Sequence, residues 1–518
     1  MARDARQAME VELKLEFDPA DAARIAVHPA FETSLGPAKD QELVSTYFDT
    51  PDYALHRLGV YVRVRESGGR YVQTIKSAKS KTELLERLEW EREILSRALD
   101  LDGLEGTALE PLLTPEIRAS LGPVFETRVT RHICRVEQDG AEIEVAIDRG
   151  EIATRTHTRP ISEVELELKR GKKRALFGLA HVLAETVPFR LEVKTKAERG
   201  YELLQDRLYM AEKATDIDIP PKTETGEAFH AIAQSCLRQI MANEPSMSAG
   251  QAESLHQMRI GLRRLRAAIG IFADVVDDND LGKIKGELKW ITKELGPARD
   301  LDVFGADVLR PLRAKRPEDP AIAASHRDFE EKRMAAYARA AAAARSLRFR
   351  AAMLDLAEWI ETGPWATDDD KERRALRARP VVEHAEEKLT RLRQRVKRKG
   401  ADLRHRSVRQ RHRLRICAKR LRYATEFFAG TFPAGPSVKR RTESLSALKD
   451  LQDALGGLND LATRHVLIAD SLDTARKTEA PSATAPGLAD AEAQAENLLL
   501  KAEHAFARFA GTKAFWKP

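Results

Sequence analysis

The chain has 518 residues and a formal net charge of +6, which is long enough for two or more domains that each bury a core. Its three cysteines lie far apart and without metal-ligand spacing, which indicates neither a disulfide framework nor a zinc site, and no stretch is long and apolar enough to cross a bilayer. We therefore expect a soluble, cytoplasmic protein that does not use a membrane as a partner.

Charge is distributed unevenly along the chain. Residues 1–213 contain 33 Lys and Arg against 38 Asp and Glu, whereas residues 214–518 contain 54 against 43, so the two parts carry net charges of −5 and +11. Pro220 and Pro221 interrupt local structure where the periodicity changes. The predicted domains are a disordered N-terminus at 1–7, a strand domain at 8–210, a linker at 211–222, and a helical domain at 223–518 with repeats at about 223–365 and 380–518.

The first part of the chain is rich in short stretches that alternate charged and apolar residues. In MEVELKLEF, Glu10, Glu12 and Lys14 share one face of a predicted strand, and aliphatic residues occupy the other. Gly68 and Gly69 separate GVYVRVRE from RYVQTIK, which predicts a hairpin. The same alternation recurs in RLEWEREI, AEIEVAID, SEVELELK and FRLEVKTK.

Two arrangements would satisfy so many charged strand faces: a sandwich with charges in bulk water, or a water-filled barrel with charges inside. Basic pairs such as Arg63 with Arg65 and acidic pairs such as Glu163 with Glu165 lie on separate strands, which favours the barrel. Paired carboxylates suit a hard divalent cation, and converging Lys and Arg suit phosphate oxygens. Spacing alone leaves both arrangements open, and Asp148, which precedes Arg149 and Gly150, also fits a turn-capping role.

The ordered motifs MEVELKLEF, YFDTPDYALHRLGVYVRVR, VQTIK, RLEWE, AIDRGEI, SEVELELK and KTKAERGY resemble the CYTH domain, the triphosphate tunnel metalloenzyme family, over about residues 8–205. The resemblance implies an antiparallel eight-stranded β tunnel that holds Mg²⁺ or Mn²⁺ and a triphosphate. The implied metal ligands are Glu10, Glu12, Asp148, Glu163 and Glu165. The implied substrate-binding residues are Lys14, Arg63, Arg65, Lys76, Arg87, Arg131 and Lys196, and the implied catalytic residues are Glu10, Glu12, Glu89 and Glu91. The motif does not divide Glu89 and Glu91 between metal and water contacts.

After Gly226 the periodicity becomes helical and an internal repeat appears. HQMRIGLRRLR at 256–266 superposes on HRLRICAKRLR at 412–422 with a constant offset of 156. An apolar stripe of the first copy should face a helical core; it consists of Met258, Leu262, Leu265, Ile269 and Phe272. The two basic stripes contain His256, Arg259, Arg263, Arg264 and Arg266, and His412, Arg415, Lys419, Arg420 and Arg422. They hold no interspersed acid, which favours an anionic ligand.

The repeat resembles the CHAD domain, the conserved histidine α-helical domain, over about residues 223–470, and this implies binding of inorganic polyphosphate through the basic stripes. One departure is that Arg299 of the first copy corresponds to Asn459 of the second. The expected fold is therefore an α+β multidomain protein, in which the β tunnel precedes an all-α bundle with an internal duplication.

The leading functional hypothesis is a metal-dependent inorganic triphosphatase that hydrolyses tripolyphosphate to pyrophosphate and phosphate, while the helical domain binds polyphosphate. The alternatives are an inactive tunnel on a polyphosphate-binding protein, thiamine triphosphatase, adenylate cyclase and RNA 5′-triphosphatase activities. Nucleic-acid binding is disfavoured because no Phe, Tyr or Trp is interleaved in the basic stripes. A cytoplasmic polyphosphate-binding protein could also associate with polyphosphate granules.

Overall fold

The computed structural model describes residues 6–31, 39–77, 84–433, 435–476 and 488–517. Residues 1–5 of the predicted N-terminal segment lie outside the described part, and the first strand begins at Arg6. The chain divides into two compact units: Met1–Thr215 with Ala233–Arg266 and Asp277–Asp368, and Asp216–Ile232 with Ala267–Val276 and Asp369–Pro518. The domain boundaries at 210 and 223 stay a prediction.

The described strands form one antiparallel sheet that closes on itself. They are β1 Arg6–Glu16, β2 Lys39–Asp49, β3 Val60–Ser67, β4 Arg70–Ser77, β5 Glu86–Ile94, β6 Gly122–Gln138, β7 Ala141–Ala153, β8 Thr158–Arg170 and the short β9 Arg190–Leu191. The order is β5-β4-β3-β2-β6-β7-β8-β1, and β1 also pairs with β5, while β9 adds to the end of β1. The expected eight-stranded antiparallel tunnel is thereby confirmed.

The alternation of β1 explains why the barrel holds charges inside. Leu13 and Leu15 are each 1% exposed, and helix α4 (Arg174–Ala184) packs on the outer face of β1, β6 and β8. The opposite face is buried too, since Glu12 is 5% and Lys14 7% exposed. A sandwich with its charges in bulk water is therefore excluded for this strand, and the charged face lines the interior.

The predicted hairpin between β3 and β4 is confirmed. Gly68 and Gly69 have φ values of 55° and 77°, and their flanking residues Ser67 and Arg70 are register partners. Positive φ at both central positions is the geometry that a two-residue turn between twisted strands requires, and glycine adopts it without steric cost.

The remaining regular structure is helical. The further helices are α1 Ala22–Ala26, α2 Ala54–Arg57, α3 Pro115–Ser120, α5 Lys196–Leu204, α6 Thr225–Ser248, α7 Ala252–Ile271, α8 Leu281–Glu294, α9 Gly296–Phe304, α10 Arg310–Lys315, α11 Pro320–Arg345, α12 Leu347–Thr362, α13 Pro364–Thr367, α14 Lys371–Ala378, α15 Val381–Gly400, α16 Val408–Phe427, α17 Pro436–Arg476 and α18 Leu488–Gly511. A π-helical turn, Gly305–Leu309, joins α9 to α10. None of the described helices combines the length and apolar composition of a membrane span.

The internal repeat is visible in the helix boundaries. Helices α7 and α16 each have 20 residues, and both ends are separated by the offset of 156 seen in the sequence. The predicted apolar stripe of α7 is confirmed as core, because Met258, Leu262 and Leu265 are each 0% exposed. Ile269 and Phe272 continue that stripe and are buried as well.

Candidate functional site

A cavity of about 920 Å³ lies inside the barrel and is lined mainly by charged side chains. Of the tunnel residues predicted from the sequence, those that line it are Glu10, Glu12, Lys14, Arg63, Arg65, Lys76, Glu89, Glu91, Arg131, Glu165 and Lys196. Asp148 and Glu163 are not among its lining residues; both are fully buried, and both contact Lys196, which lines it. Arg87 lies on β5 opposite Glu10, and its side chain is outside the described part of the structure.

Three carboxylates meet where β7 and β8 run side by side. Asp148 and Glu163 are register partners, and Glu165 follows two residues later on the same face of β8. Each residue of this carboxylate cluster offers an oxygen within 4.8 Å of the others. The turn-capping alternative for Asp148 is wrong, because Asp148 lies within β7 and is 0% exposed.

Cationic side chains neutralise the carboxylate cluster. Arg131 on β6 donates to Asp148 from Nε (2.7 Å) and Nη2 (2.6 Å), and from Nη2 to Glu165 at 2.5 Å. Lys196 Nζ lies 2.6 Å from Asp148 Oδ2 and 3.0 Å from Glu165 Oε1, and it also contacts Glu163. Burial alone would raise the pKa of Asp148 and Glu165, but Lys196 and Arg131 outweigh it and lower both pKa values.

Arg199 is a site residue that the sequence interpretation missed. It is fully buried and its guanidinium contacts the Glu163 carboxylate. Because Lys196 and Arg199 are three residues apart on α5, they share one face of that helix and reach the same cluster. The KTKAERGY motif contains both residues, and their spacing on a helix would have indicated Arg199.

The opposite part of the cavity holds a group of guanidinium ions. Arg63 and Arg65 alternate along β3 and face the same interior as Arg131. Arg63 Nη2 lies 3.6 Å from Glu89 Oε1, whereas Arg65 donates from Nε to the Ser45 hydroxyl at 3.4 Å and forms no carboxylate ion pair among the described residues. Burial, together with the charges of Arg63 and Arg131, lowers the pKa of Arg65 to about 10.

A lysine separates two further carboxylates. Lys76 Nζ lies 2.6 Å from Glu10 Oε2 and 3.2 Å from Glu89 Oε1. Burial would raise the pKa of Glu10, but the charges of Lys76 and Lys14 lower it to about 2. Burial raises the pKa of Glu89 to about 7, and the negative charge of Glu10 acts in the same direction. The positive charge of Lys76 lowers that pKa but offsets burial only in part.

The other acidic residues of the tunnel have partners of their own. Glu91 accepts a hydrogen bond from Thr74 Oγ1 at 2.9 Å, and Glu12 contacts Lys14. Burial would raise the pKa of Glu91, but the charges of two nearby arginines lower it. Lys14 Nζ is also 4.0 Å from Glu165 Oε1, so it connects β1 to the carboxylate cluster.

The carboxylate cluster has the chemistry of a hard-cation site. Three carboxylates without nitrogen or sulfur donors suit Mg²⁺ or Mn²⁺. Glu10 and Glu12 are not in this group of described residues; Glu10 pairs with Lys76, and Glu12 pairs with Lys14. Their roles as metal ligands stay predictions.

The first basic stripe lies on α7 within the first unit. His256, Arg259 and Arg263 are half-buried and Arg266 is exposed. Arg259 Nη1 donates to the Thr292 carbonyl at 3.2 Å. Burial lowers the pKa of Arg259, and the charges of Arg263 and Arg299 act in the same direction.

Arg264 differs from its neighbours on α7. It is 7% exposed and forms a side-chain hydrogen bond with the buried Cys236. The structure therefore places Arg264 in the helical packing, whereas the rest of the stripe reaches solvent.

The second basic stripe lies on α16 within the second unit. His412 is exposed, and Arg415 and Lys419 are half-buried. Arg422 Nε lies 3.4 Å from a carboxylate oxygen of Glu426, one turn further on. Arg420 is half-buried and packs against Gly270, since a Cβ on that glycine would lie 1.8 Å from Arg420 Nη2.

The two stripes share one local geometry. Each central arginine approaches a glycine so closely that a Cβ at that position would be in contact with its guanidinium group. The distance would be 3.6 Å between a Cβ at Gly296 and Arg259 Nη1, and 3.4 Å between a Cβ at Gly456 and Arg415 Nη2. In each copy the central arginine thus lies close to the equivalent glycine.

Comparisons with known proteins agree with this architecture. The model of the CYTH domain matches residues 8–201, and that of the CHAD domain matches residues 231–469. An inorganic triphosphatase from Haemophilus influenzae is 32% identical over 203 residues, which are 38% of this chain and 54% of that protein. The chain therefore spans about half the length of this relative.

Two solved structures are also similar. The CHAD domain from the plant Ricinus communis is 26% identical with a TM-score of 0.45, and the match covers 58% of this chain and 97% of that one. A putative adenylyl cyclase from Hippeastrum, described as having a dominant triphosphatase activity, is 19% identical with a TM-score of 0.28, over 37% of this chain and 95% of that one. Both sequence resemblances are confirmed by the two domain matches: a CYTH domain is found in the N-terminal part of the chain and a CHAD domain in its helical part.

Proposed function

We propose that the tunnel is a metal-dependent inorganic triphosphatase site that hydrolyses tripolyphosphate to pyrophosphate and phosphate. The observation that carries this proposal is the cation cluster of Arg63, Arg65 and Arg131. Burial, and then the charges of Arg63 and Arg131, lower the pKa of Arg65, and an anion bound beside these guanidinium groups would offset both effects. Phosphate oxygens suit guanidinium groups because each guanidinium can donate two parallel hydrogen bonds.

The carboxylate cluster supplies the other half of the proposed site. Asp148, Glu163 and Glu165 would hold Mg²⁺ or Mn²⁺, which when bound neutralises phosphate charge. The protein forms no covalent bond to the phosphoryl group in such a transfer, so most of the rate acceleration comes from positioning the substrate and neutralising its charge with arginines. Arg63, Arg65 and Lys76 would take this role from the strands that face the cluster.

Glu89 is the carboxylate that best suits water activation. A general base works best when its pKa lies near the working pH, and the pKa of Glu89 is raised to about 7. Glu91, two residues away on β5, has a lowered pKa and therefore suits a constant negative charge. We assign Glu89 to accept the proton of the attacking water and Glu91 to orient the arginines.

The experiment is a panel of phosphate-release assays with tripolyphosphate, ATP, thiamine triphosphate and long-chain polyphosphate, each with Mg²⁺, Mn²⁺ or EDTA. Tripolyphosphate should be turned over fastest and EDTA should abolish the reaction. Arg65→Ala should lose substrate affinity, whereas Arg128→Ala on the same barrel should not, because Arg128 is 55% exposed and pairs with Glu126 and Glu151. Faster turnover of ATP or thiamine triphosphate, or activity in EDTA, would replace this proposal with another chemistry.

We further propose that the two basic stripes of the CHAD part bind inorganic polyphosphate. Arg259 and Arg415 support this, because both are central in their stripe and lie against the equivalent glycine. His256 would gain a proton on binding, since burial and the charge of Arg299 lower its pKa and a bound polyanion would oppose that effect. Binding of a fluorescent polyphosphate measured against salt tests this, and salt-independent binding would contradict it.

A further inference from the structure

One helix of the CHAD part contributes to the wall of the tunnel cavity. Residues 231–469 match the CHAD domain, and α6 carries Ser235, Arg238 and Gln239 into the lining of the cavity. These residues belong to the same compact unit as the barrel. The site described above is therefore completed by side chains that lie outside the CYTH match.

The start of α5 is held by a capping box. Thr195 Oγ1 accepts from the Glu198 backbone N–H at 3.0 Å, and Glu198 Oε2 accepts from the Thr195 N–H at 2.8 Å. The same turn presents Lys196 and Arg199 to the carboxylate cluster. The geometry of this turn thus decides where both cations lie.

Arg238 binds that turn from outside. Its Nη2 lies 2.5 Å from Glu198 Oε1, whereas the capping box uses Glu198 Oε2, and its Nη1 donates to the Val193 carbonyl. The Arg238 side chain is 15% exposed, so water competes weakly for these hydrogen bonds. One planar guanidinium therefore joins the segment before α5 to the first turn of α5.

We propose that Arg238 is a positioning residue of the tunnel site, through which the CHAD part fixes the start of α5 and so the placement of Lys196 and Arg199. The catalytic consequence rests on the proposed triphosphatase function, whereas the positioning of α5 does not. Catalytic groups must be held to within about 0.5 Å of the productive geometry, and supporting hydrogen bonds provide that precision.

The test compares Arg238→Ala with Arg350→Ala in the full chain. Arg350 is the matched control, because it also lies in the helical part and donates to a backbone carbonyl of the first 215 residues, at Pro188, away from α5. We expect Arg238→Ala to speed amide hydrogen exchange at residues 196–204 about tenfold or more, and Arg350→Ala to leave that segment unchanged.

Turnover of tripolyphosphate gives the second measurement. Arg238→Ala should lower kcat about 10- to 100-fold with a smaller change in KM, because the strand arginines that contact phosphate are untouched. Arg238→Lys should give intermediate exchange and kcat, since one ammonium can pair with Glu198 but cannot span Glu198 and Val193 together. Glu198→Gln should add little to Arg238→Ala, because both changes break the same link.

The outcomes separate the two claims. Unchanged exchange in α5 in a folded Arg238→Ala variant overturns the inference, and so does faster exchange with wild-type kcat. If the wild-type protein hydrolyses none of the four substrates, the proposed function has failed. In that case faster exchange confined to Arg238→Ala still supports the positioning of α5 by Arg238.

Discussion

Replacing Lys196 with Met tests the carboxylate cluster without relying on activity. In the structure Lys196, Arg131 and Arg199 balance the three carboxylates of Asp148, Glu163 and Glu165. Met preserves most of the length of the side chain but removes the ammonium. The variant would therefore leave three buried carboxylates facing two guanidinium groups, with one negative charge in excess.

The expected magnitude follows from burial. Asp148 and Glu163 are both 0% exposed, and removing one partner of a buried ion pair costs about 3–5 kcal/mol. We expect a loss of about 3 kcal/mol in the free energy of unfolding, since Arg131 and Arg199 still face the cluster. A divalent cation that binds only the folded protein, at a concentration 100 times its dissociation constant, raises the free energy of unfolding by about 2.7 kcal/mol. Without the competing ammonium, the variant should bind that cation more tightly than the wild-type protein does.

The assay is urea unfolding of both proteins in EDTA and in excess Mn²⁺. Mn²⁺ should recover most of the loss in Lys196→Met and stabilise the wild-type protein less. Lys194→Met is the control, because Lys194 lies two residues earlier and pairs with Glu202 instead of the cluster; it should lose stability without a larger gain from Mn²⁺. If Lys196→Met lowers the free energy of unfolding by less than about 1 kcal/mol, the buried charge balance described here is wrong. Equal stabilisation of all three proteins by Mn²⁺ would refute a cation site at these carboxylates.

Three further predictions concern activity and binding. Burial raises the pKa of Glu89 to about 7, so kcat should rise as the pH increases through this value and Glu89 loses its proton. Glu89→Gln should remove this rise of kcat with pH, and an unchanged pH profile in the variant would contradict the role of Glu89 as the general base. Arg63→Ala should raise KM roughly 10- to 150-fold, the equivalent of a charge-assisted hydrogen bond, and wild-type kinetics would exclude Arg63 from the site. Arg259→Glu combined with Arg415→Glu should abolish polyphosphate binding and its salt dependence but spare tripolyphosphate hydrolysis, provided that circular dichroism shows a folded variant; wild-type affinity would show that the stripes are only solvated helix faces.

The period of the sequence predicted the interior of the barrel because a strand places every second side chain on one face. Glu10, Glu12 and Lys14 alternate with aliphatic residues; Glu12 and Lys14 are buried on the inner face, and Leu13 and Leu15 on the outer face. Closure was not available from local pattern. It depends on pairing between β1 and β5, for example Glu10 with Arg87, which are far apart in the chain. The family resemblance supplied that step.

Residues that reach the site from other elements were harder to predict. Arg199 follows Lys196 by one helical turn, so its position could have been inferred once KTKAERGY was recognised as the start of a helix. No sequence motif indicated Arg238 as a site residue, because it lies in α6, about 40 residues after the α5 residue that it contacts. A contact of that kind is decided by tertiary packing, and neither periodicity nor motif spacing contains it.

The charge pattern of the cavity orders the proposed binding events. Lys196 and Arg131 are already held by the carboxylate cluster at 2.5–3.0 Å. They cannot turn fully to phosphate until another cation, such as the proposed metal ion, pairs with those carboxylates. Among the described residues Arg65 forms no carboxylate ion pair within 4 Å and donates only a 3.4 Å hydrogen bond to the Ser45 hydroxyl, although the charge of Glu91 acts on it. It is therefore less tightly held than Lys196 and Arg131 and more available to an incoming anion. Contact with phosphate should consequently begin at Arg65, and Arg65→Ala should weaken substrate binding even in EDTA, where Lys196 and Arg131 stay engaged by their carboxylates.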